Sequence, residues 1–399
     1  FSNTTGVYNT FLGSNVGLAN ISGSSNTFLG SNAGRNSDNT DNTFIGQNSG
    51  YTNTNGFSNT FLGTESGFNN TDGFYNTFLG YRSGLANTTG DQNTFIGQNA
   101  GNTNTSGNSN ILIGNAINAP TATTSNFLNI GNAIYGDLST GNIGIGTTTP
   151  RTRLELGNDG AILAIGTYGS GWTEPDLGAG TRLLWYPKKA AFRAGQAVTN
   201  EWDNANIGVN SVAMGYNTIA SNSYSMAMGV STTASGPAST AMGIQNTASG
   251  QSSTAMGTQT TANGNYSTAM GGNTTAGGGY STAMGFYASA NGDLSTAMGY
   301  YTNANAYASL VLGQFNVDGG TNNSWVVTDP LFVIGNGVNA GSLSNAMTVY
   351  KNGNTEITGR LSTLGGLVIE TRTTNPGAPV NGQMWLCTDT GDATPCNGI

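Results

Sequence analysis

A pentapeptide, Ser-Thr-Ala-Met-Gly, returns every fourteen residues, beginning at Ser239, Ser253, Ser267, Ser281 and Ser295. The closing glycine, or its counterpart in a variant, stands at Gly215, Gly229, Gly243, Gly257, Gly271, Gly285, Gly299 and Gly313. An alanine stands five residues after each of the first seven of these glycines, at Ala220, Ala234, Ala248, Ala262, Ala276, Ala290 and Ala304. Two columns in one register indicate a repeat architecture rather than a disordered chain.

The N-terminal half repeats with a longer period. The motif Asn-Thr-Phe-Leu/Ile-Gly ends at Gly13, Gly30, Gly46, Gly63, Gly80 and Gly97, in steps of seventeen residues with one of sixteen. Variants of it end at Gly114 and Gly131. The chain therefore holds two repeat arrays.

Both arrays predict short strands. A coiled coil is excluded, because heptad apolar positions are absent and frequent Gly and Thr cost roughly 0.5 to 1 kcal/mol each in a helix. In an extended Ser-Thr-Ala-Met-Gly segment, Thr and Met share one face while Ser and Ala share the other. Glycine then supplies a turn with positive φ or a close backbone approach. Two short strands and two turns make one coil of an all-β, parallel β-solenoid.

A single coil has few apolar side chains to bury. A Met, one or two Ala and a Thr do not offset the ordering of fourteen residues at roughly 1 to 2 kcal/mol each. Stacking coils and associating chains side by side would bury more, so we expect an obligate homo-oligomer. We expect a methionine column to form the structural core, at Met214, Met228, Met242, Met256, Met270, Met284 and Met298.

The unit NSVAMGYNTIASN (residues 210–222) and the unit STAMGIQNTASGQS (residues 239–252) resemble the YadA-like head repeat of trimeric autotransporter adhesins. The resemblance implies a left-handed parallel β-roll and a homotrimer. The N-terminal units resemble a longer-coil relative found in bacterial surface fibres and phage tail fibres. Residues 141–157 and 332–354 resemble connectors of the same fibre proteins.

The periods divide the sequence into four parts. Residues 1–146 are predicted to form a β-roll of 17-residue repeats, and 147–206 a non-repeat insertion or connector. Residues 207–313 form the roll of 14-residue repeats, and 314–399 a β-rich end piece. Because FSNTTGVYNTFLG aligns with FNNTDGFYNTFLG (residues 68–80), Phe1 falls in mid-coil. We expect a piece of a longer fibre; a mature N-terminus, or a half-coil completed end to end by another subunit, remains as the alternative.

Charge and residue types exclude several functions. The net charge of −8, with 11 scattered Lys and Arg, argues against nucleic acid as a partner. The absence of His removes the usual base of Ser and Cys triads and most catalytic zinc ligands. We therefore predict a non-enzyme with no catalytic, cofactor or metal site.

One catalytic alternative stays open. Glu174 with Asp176, and Glu201 with Asp203, stand two residues apart, so each pair shares a face of an extended chain. A polysaccharide-degrading tailspike would place such pairs beside sugar-binding aromatics. Aromatic residues lie nearby, at Trp172, Trp185, Tyr186 and Trp202. The simpler interpretation is an insertion whose aromatics pack its own small core.

The function that these features predict is a stiff extracellular fibre or adhesin on a cell surface, binding surface glycans or matrix proteins. A phage tail fibre or receptor-binding protein is the alternative. Cys387 and Cys396 enclose a turn-rich segment that suits a local disulfide, worth on the order of 2 kcal/mol. Such a bridge fits an exported protein.

Overall fold

A computed structural model describes residues 3–157, 160–362, 371–372 and 386–387. The chain divides into two compact units, Phe1–Leu163 and Ala164–Ile399. Within the described ranges there is no α-helix, and the helical content is two 3₁₀ turns, Pro187–Lys189 and Asn204–Asn206. The prediction of an all-β solenoid is confirmed in both units.

The first unit is one sheet of eleven short strands in chain order. The strands are β1 (Thr10–Leu12), β2 (Thr27–Leu29), β3 (Thr43–Ile45), β4 (Thr60–Leu62), β5 (Thr77–Leu79), β6 (Thr94–Ile96), β7 (Ile111–Ile113), β8 (Phe127–Ile130), β9 (Ile134–Asp137), β10 (Asn142–Ile145) and β11 (Leu154–Leu156). Strands β1 to β8 pair in parallel, with Phe28 opposite Phe44 and Phe44 opposite Phe61. The last strands reverse: β9 is antiparallel to both β8 and β10.

The interior of this unit is a stack of phenylalanines. Successive rings from Phe11 to Phe95 lie 4.8–5.0 Å apart with planes within 9° of parallel. That spacing is the distance between neighbouring strands, so the hydrogen-bonded register stacks the rings. The glycine four residues after each motif lies against its ring; a Cβ at Gly67 would stand 2.4 Å from Phe61 Cε2.

Two buried asparagine ladders flank the phenylalanines. In one of them, Asn59 Oδ1 accepts the backbone N–H of Asn76 at 2.9 Å, and Asn76 Oδ1 accepts that of Asn93 at 2.9 Å. The same side chains donate forward; Asn76 Nδ2 reaches the Gly90 carbonyl at 2.8 Å. In the other ladder Asn70, Asn87 and Asn104 each donate to the amide one coil earlier, as Asn87 Nδ2 does to Asn70 Oδ1 at 2.7 Å. The Asn-rich turns are therefore structural.

The second unit holds two large sheets and one two-stranded sheet. The larger contains β12 (Gly180–Tyr186), β13 (Ala191–Ala197), β14 (Val212–Tyr216), β16 (Met226–Val230), β18 (Thr240–Ile244), β20 (Thr254–Thr258), β22 (Thr268–Gly272), β24 (Thr282–Phe286), β26 (Thr296–Tyr300), β28 (Leu310–Gln314), β29 (Pro330–Asn336), β30 (Asn345–Tyr350) and β31 (Thr355–Ile357). The smaller contains β15 (Ile219–Ala220), β17 (Thr233–Ala234), β19 (Thr247–Ala248), β21 (Thr261–Ala262), β23 (Thr275–Ala276), β25 (Ser289–Ala290) and β27 (Asn303–Ala304). A further pair, β32 (Thr371–Arg372) and β33 (Leu386–Cys387), is parallel.

Each 14-residue coil gives five residues to the larger sheet and two to the smaller, which are the two short strands per coil that the sequence predicted. All strands of the array are parallel and in register: Met242 lies opposite Met256, and Ala248 opposite Ala262. The larger sheet continues beyond the array at both ends. There β12 pairs antiparallel with β13, and β29, β30 and β31 form an antiparallel meander.

Alanine fills the interior of the array. Both alanine columns are almost completely buried, at Ala213, Ala220, Ala227, Ala234, Ala241, Ala248, Ala255, Ala262, Ala269, Ala276, Ala283, Ala290, Ala297 and Ala304. The apolar part of the interior is narrow, because within the repeats it consists almost entirely of alanine side chains. The methionines project to the opposite face of the larger sheet and are half-buried in the single chain. Their place in a core stays a prediction for the assembled protein.

Every coil contains two non-glycine residues in the left-handed region, seven residues apart in the 14-residue array. Examples are Gln259 (φ 57°), Tyr266 (φ 59°) and Asn273 (φ 52°). These residues turn the chain at the two corners. The motif glycine contributes differently: Gly257 has φ 125°, and a Cβ there would stand 2.0 Å from the Gly271 carbonyl oxygen.

A buried arginine closes one end of the alanine interior. Arg193 lies opposite Ala213 in the sheet and is fully buried. Its guanidinium donates to the Ser211 carbonyl at 3.1 Å, the Ser211 hydroxyl at 2.8 Å and the Ala220 carbonyl at 3.0 Å. Burial lowers the pKa of Arg193 to about 10, which leaves it charged at neutral pH. The segment before the array therefore acts as a cap.

Candidate binding surface

The outward face of the larger sheet in the second unit is apolar at regular intervals. It carries the methionine column, with Met214 41% exposed and the others half-buried. The residue after each motif glycine is also exposed where it is large, as at Val230, Ile244 and Phe286. Rows of apolar side chains at strand spacing on an outer face are typical of a surface that another chain covers.

The first unit has an equivalent row. The third residue of each strand from β1 to β7 is Leu or Ile and is turned away from the phenylalanine stack. Leu12 is 67% exposed, and Leu29, Leu62 and Leu79 are about equally exposed, at 40–41%. Each unit thus presents one apolar column, regularly spaced because its strands are in register.

Aromatic side chains at the corners form short stacks on the surface. The ring centroids of Tyr266 and Tyr280 lie 4.8 Å apart. In a second stack the Tyr301 ring lies 4.4 Å from Tyr287 on one side and 4.9 Å from Phe315 on the other. All five occupy left-handed corner positions. Since each is fixed by its neighbour, the stacks present oriented phenol groups to solvent with little conformational entropy left to lose on binding.

The two carboxylate pairs of the insertion do not present both members to solvent. Glu174 is 2% exposed while Asp176 is exposed. Burial, together with the charge of Asp203, raises the pKa of Glu174. Glu201 accepts the backbone N–H groups of Val198 at 2.8 Å and Thr199 at 2.7 Å.

Burial tends to raise the pKa of Glu201, but the hydrogen bonds from Thr199 and Val198 outweigh it and leave that pKa lowered. Glu201 therefore stabilises a turn in its ionised form. Asp203 accepts the backbone N–H of Gly178 at 3.2 Å. These contacts give Glu201 and Asp203 structural partners, whereas both carboxylate oxygens of Glu174 are buried without a hydrogen-bond partner.

The aromatics of the insertion divide between core and surface. Tyr186 and Trp202 are fully buried, and the Trp202 indole donates to the Thr218 carbonyl at 2.9 Å. Trp172 packs edge-on against Tyr186 at 5.7 Å and remains half-exposed, as does Trp185. Most of this cluster serves the small core that the simpler interpretation expects.

The disulfide between Cys387 and Cys396 stays a prediction. Cys396 lies outside the described residues, and the structure describes the backbone but not the side chain of Cys387. In the part of the chain that is described, no helix has the length and apolar character needed to cross a membrane.

Comparison with known proteins bears on the 14-residue array. A family model described as the YadA head domain repeat, which covers two copies of the repeat, matches seven overlapping segments. They are residues 207–232, 220–246, 234–260, 248–274, 262–288, 276–302 and 290–316. Among curated proteins, none matches the chain significantly.

Proposed function

Because residues 207–316 are YadA head domain repeats, we propose that the chain is the head segment of a homotrimeric, extracellular surface adhesin. It attaches by contact and does not catalyse a reaction. The observation that carries the proposal is the continuous apolar column on the outer face of each array. Polar corners at regular spacing then provide the contacts to a surface.

The methionine column is the proposed centre of the trimer interface. Met256 lies opposite Met242 and Met270 in the sheet, so the column continues from coil to coil without a change of register. Three such columns facing a common axis would bury the outer face that the single chain leaves half-exposed. The narrow alanine interior supports this arrangement, since it alone buries little apolar area for each ordered residue.

We expect Met256→Asp to weaken or abolish the trimer. A carboxylate in the interface would be desolvated in three copies, each at a cost of several kcal/mol. Size-exclusion chromatography with light scattering on the full chain should give three times the mass of 40.7 kDa for the wild type and lower masses for the variant.

The matched control is Gln259→Asp, three residues away at an exposed corner. Its φ of 57° is one that aspartate tolerates, so the trimer should persist. A wild-type chain that runs as a folded monomer, or two variants with the same mass, would contradict the proposed interface.

We expect attachment to depend on the number of copies. Beads carrying the wild-type trimer should adhere to cells or matrix-coated surfaces, and beads carrying the Met256→Asp variant should adhere far less, because avidity multiplies weak contacts. Adhesion should change little between low and physiological salt, since only 8% of residues are charged. Turnover of a glycan substrate, or equal adhesion by both kinds of bead, would refute a purely adhesive function.

A further inference from the structure

A groove runs along one corner of the 14-residue array where the repeat loses a side chain. The position before the left-handed corner residue is Gln251, Asn265, Gly279 and Asp293 in successive coils. Gly279 has no side chain to continue the row, and a groove of about 520 Å³ opens between its neighbours. The walls are Tyr266, Tyr280, Leu294 and Tyr307.

Three of the four wall residues are tyrosines, and two of them stack on each other. Tyr280 is 61% exposed, yet its ring is stacked on Tyr266 at 4.8 Å. The backbone N–H of Tyr307 donates to Thr321 at 2.8 Å, which ties one end of the groove to the segment after the array. Phenols combine an apolar ring with a hydroxyl that donates and accepts.

The floor carries one fixed carboxylate. Asp293 Oδ1 accepts the backbone N–H of Gly279 at 2.7 Å, and the Asp293 backbone N–H donates to the Asn322 carbonyl at 2.7 Å. Among the lining residues, all of which the structure describes, Asp293 is the single charged group. A lone carboxylate repels phosphates, sulfates and uronates, and its remaining lone pairs suit hydroxyl donors.

From this geometry we infer that the groove binds a neutral saccharide. Sugar rings offer apolar C–H faces to phenol rings and hydroxyls to Asp293 and Asn265, and pockets of this size with aromatic walls and few polar groups hold small ligands. The inference rests on the proposed adhesive function, to which it gives a ligand class and a location.

A variant that fills the groove tests the site without removing a contact. A Cβ at Gly279 would meet Asp293 Oδ1 at 3.4 Å and both Asp293 Cγ and the Asn265 carbonyl oxygen at 3.9 Å, all of them ordinary contacts. Gly279→Gln restores the residue found two coils earlier, at Gln251, and should fold as the wild type does. Tyr280→Ala removes one wall. Tyr224→Ala is the matched control, because Tyr224 is an equally exposed corner tyrosine outside the groove.

The experiment measures binding of the full chain to an array of neutral oligosaccharides, with heparin and polylysine as acidic and basic probes. We expect binding to a subset of the neutral sugars, reduced about tenfold or more by Gly279→Gln and Tyr280→Ala and unchanged by Tyr224→Ala. The inference is overturned by binding to no neutral sugar, by preference for heparin or polylysine, or by full binding of the filled variant. Bead attachment that survives Gly279→Gln while no sugar binds refutes the groove alone; beads that never attach refute the adhesive function.

Discussion

Replacing Gly257 with alanine is expected to lower the free energy of unfolding by about 3–5 kcal/mol per chain. The added Cβ would stand 2.0 Å from the Gly271 carbonyl oxygen, and the backbone there has φ 125°, which an L-residue rarely adopts. The strand must move away from the next coil, which breaks the in-register pairing of β20 with β22. Urea unfolding of the full chain, followed by circular dichroism, measures the effect.

Gly279→Ala is the control for this change. Gly279 lies in the same array, but its φ is outside the left-handed region and a Cβ there has only ordinary contacts. Its free energy of unfolding should stay within about 0.5 kcal/mol of the wild type. A Gly257→Ala chain as stable as Gly279→Ala would show that the coils are not in the close contact described here.

The second large effect is expected from Asn76→Ala in the first array. This side chain is 1% exposed and satisfies two backbone groups of the following coil, the Asn93 N–H and the Gly90 carbonyl. Its removal leaves the Asn93 N–H buried without a partner, at a cost of about 1–3 kcal/mol, while the Gly90 carbonyl keeps its hydrogen bond from Asn87 Nδ2 at 2.9 Å. The free energy of unfolding should fall by about 1–3 kcal/mol, again read from urea unfolding.

Asn55→Ala is the control, because it removes an asparagine in an exposed turn and leaves the buried ladder intact. Asn55 is exposed, and its side-chain amide donates to Asp72 Oδ1 of the next coil at 2.6 Å. We expect a loss of about 0.5 kcal/mol or less there. Comparable losses at the two positions would mean that the buried ladder contributes no more to stability than a surface hydrogen bond.

The periods predicted the strands and their register, because identical residues fourteen or seventeen apart have one consistent way to pair in parallel. The glycine role was also predictable, since its column is invariant within the array. Which side of each strand faces the interior of the coil was harder to predict from the sequence. Size favours Met as core over Ala, yet the single chain buries both alanine columns inside the coil and leaves the methionines half-buried on the outer face. A methionine core in the assembled protein stays a prediction.

Other features could not be predicted, because no pattern in the sequence marks them. The left-handed corners are occupied by residues as different as Ala238, Gln259 and Leu294, so no residue type marks the column. In the sequence, Arg193 cannot be distinguished from an ordinary surface cation. Its burial follows from the strand pairing that places it opposite Ala213. The groove at Gly279 was equally hidden, because one more glycine in a run of three looks like turn composition.

The polar groups inside both arrays are amides and hydroxyls. The buried carboxylates and guanidinium among the described residues, Glu174, Arg193, Glu201 and Asp329, all lie outside the repeated coils. Acid unfolds most proteins by protonating carboxylates that the native state holds ionised. The interiors of these coils contain no such group to protonate. A shift toward acid therefore acts on the segments that border the arrays and on carboxylates in the turns, such as Asp38, which accepts the Ser22 N–H, and Asp293, and leaves the stacked ladders chemically unchanged.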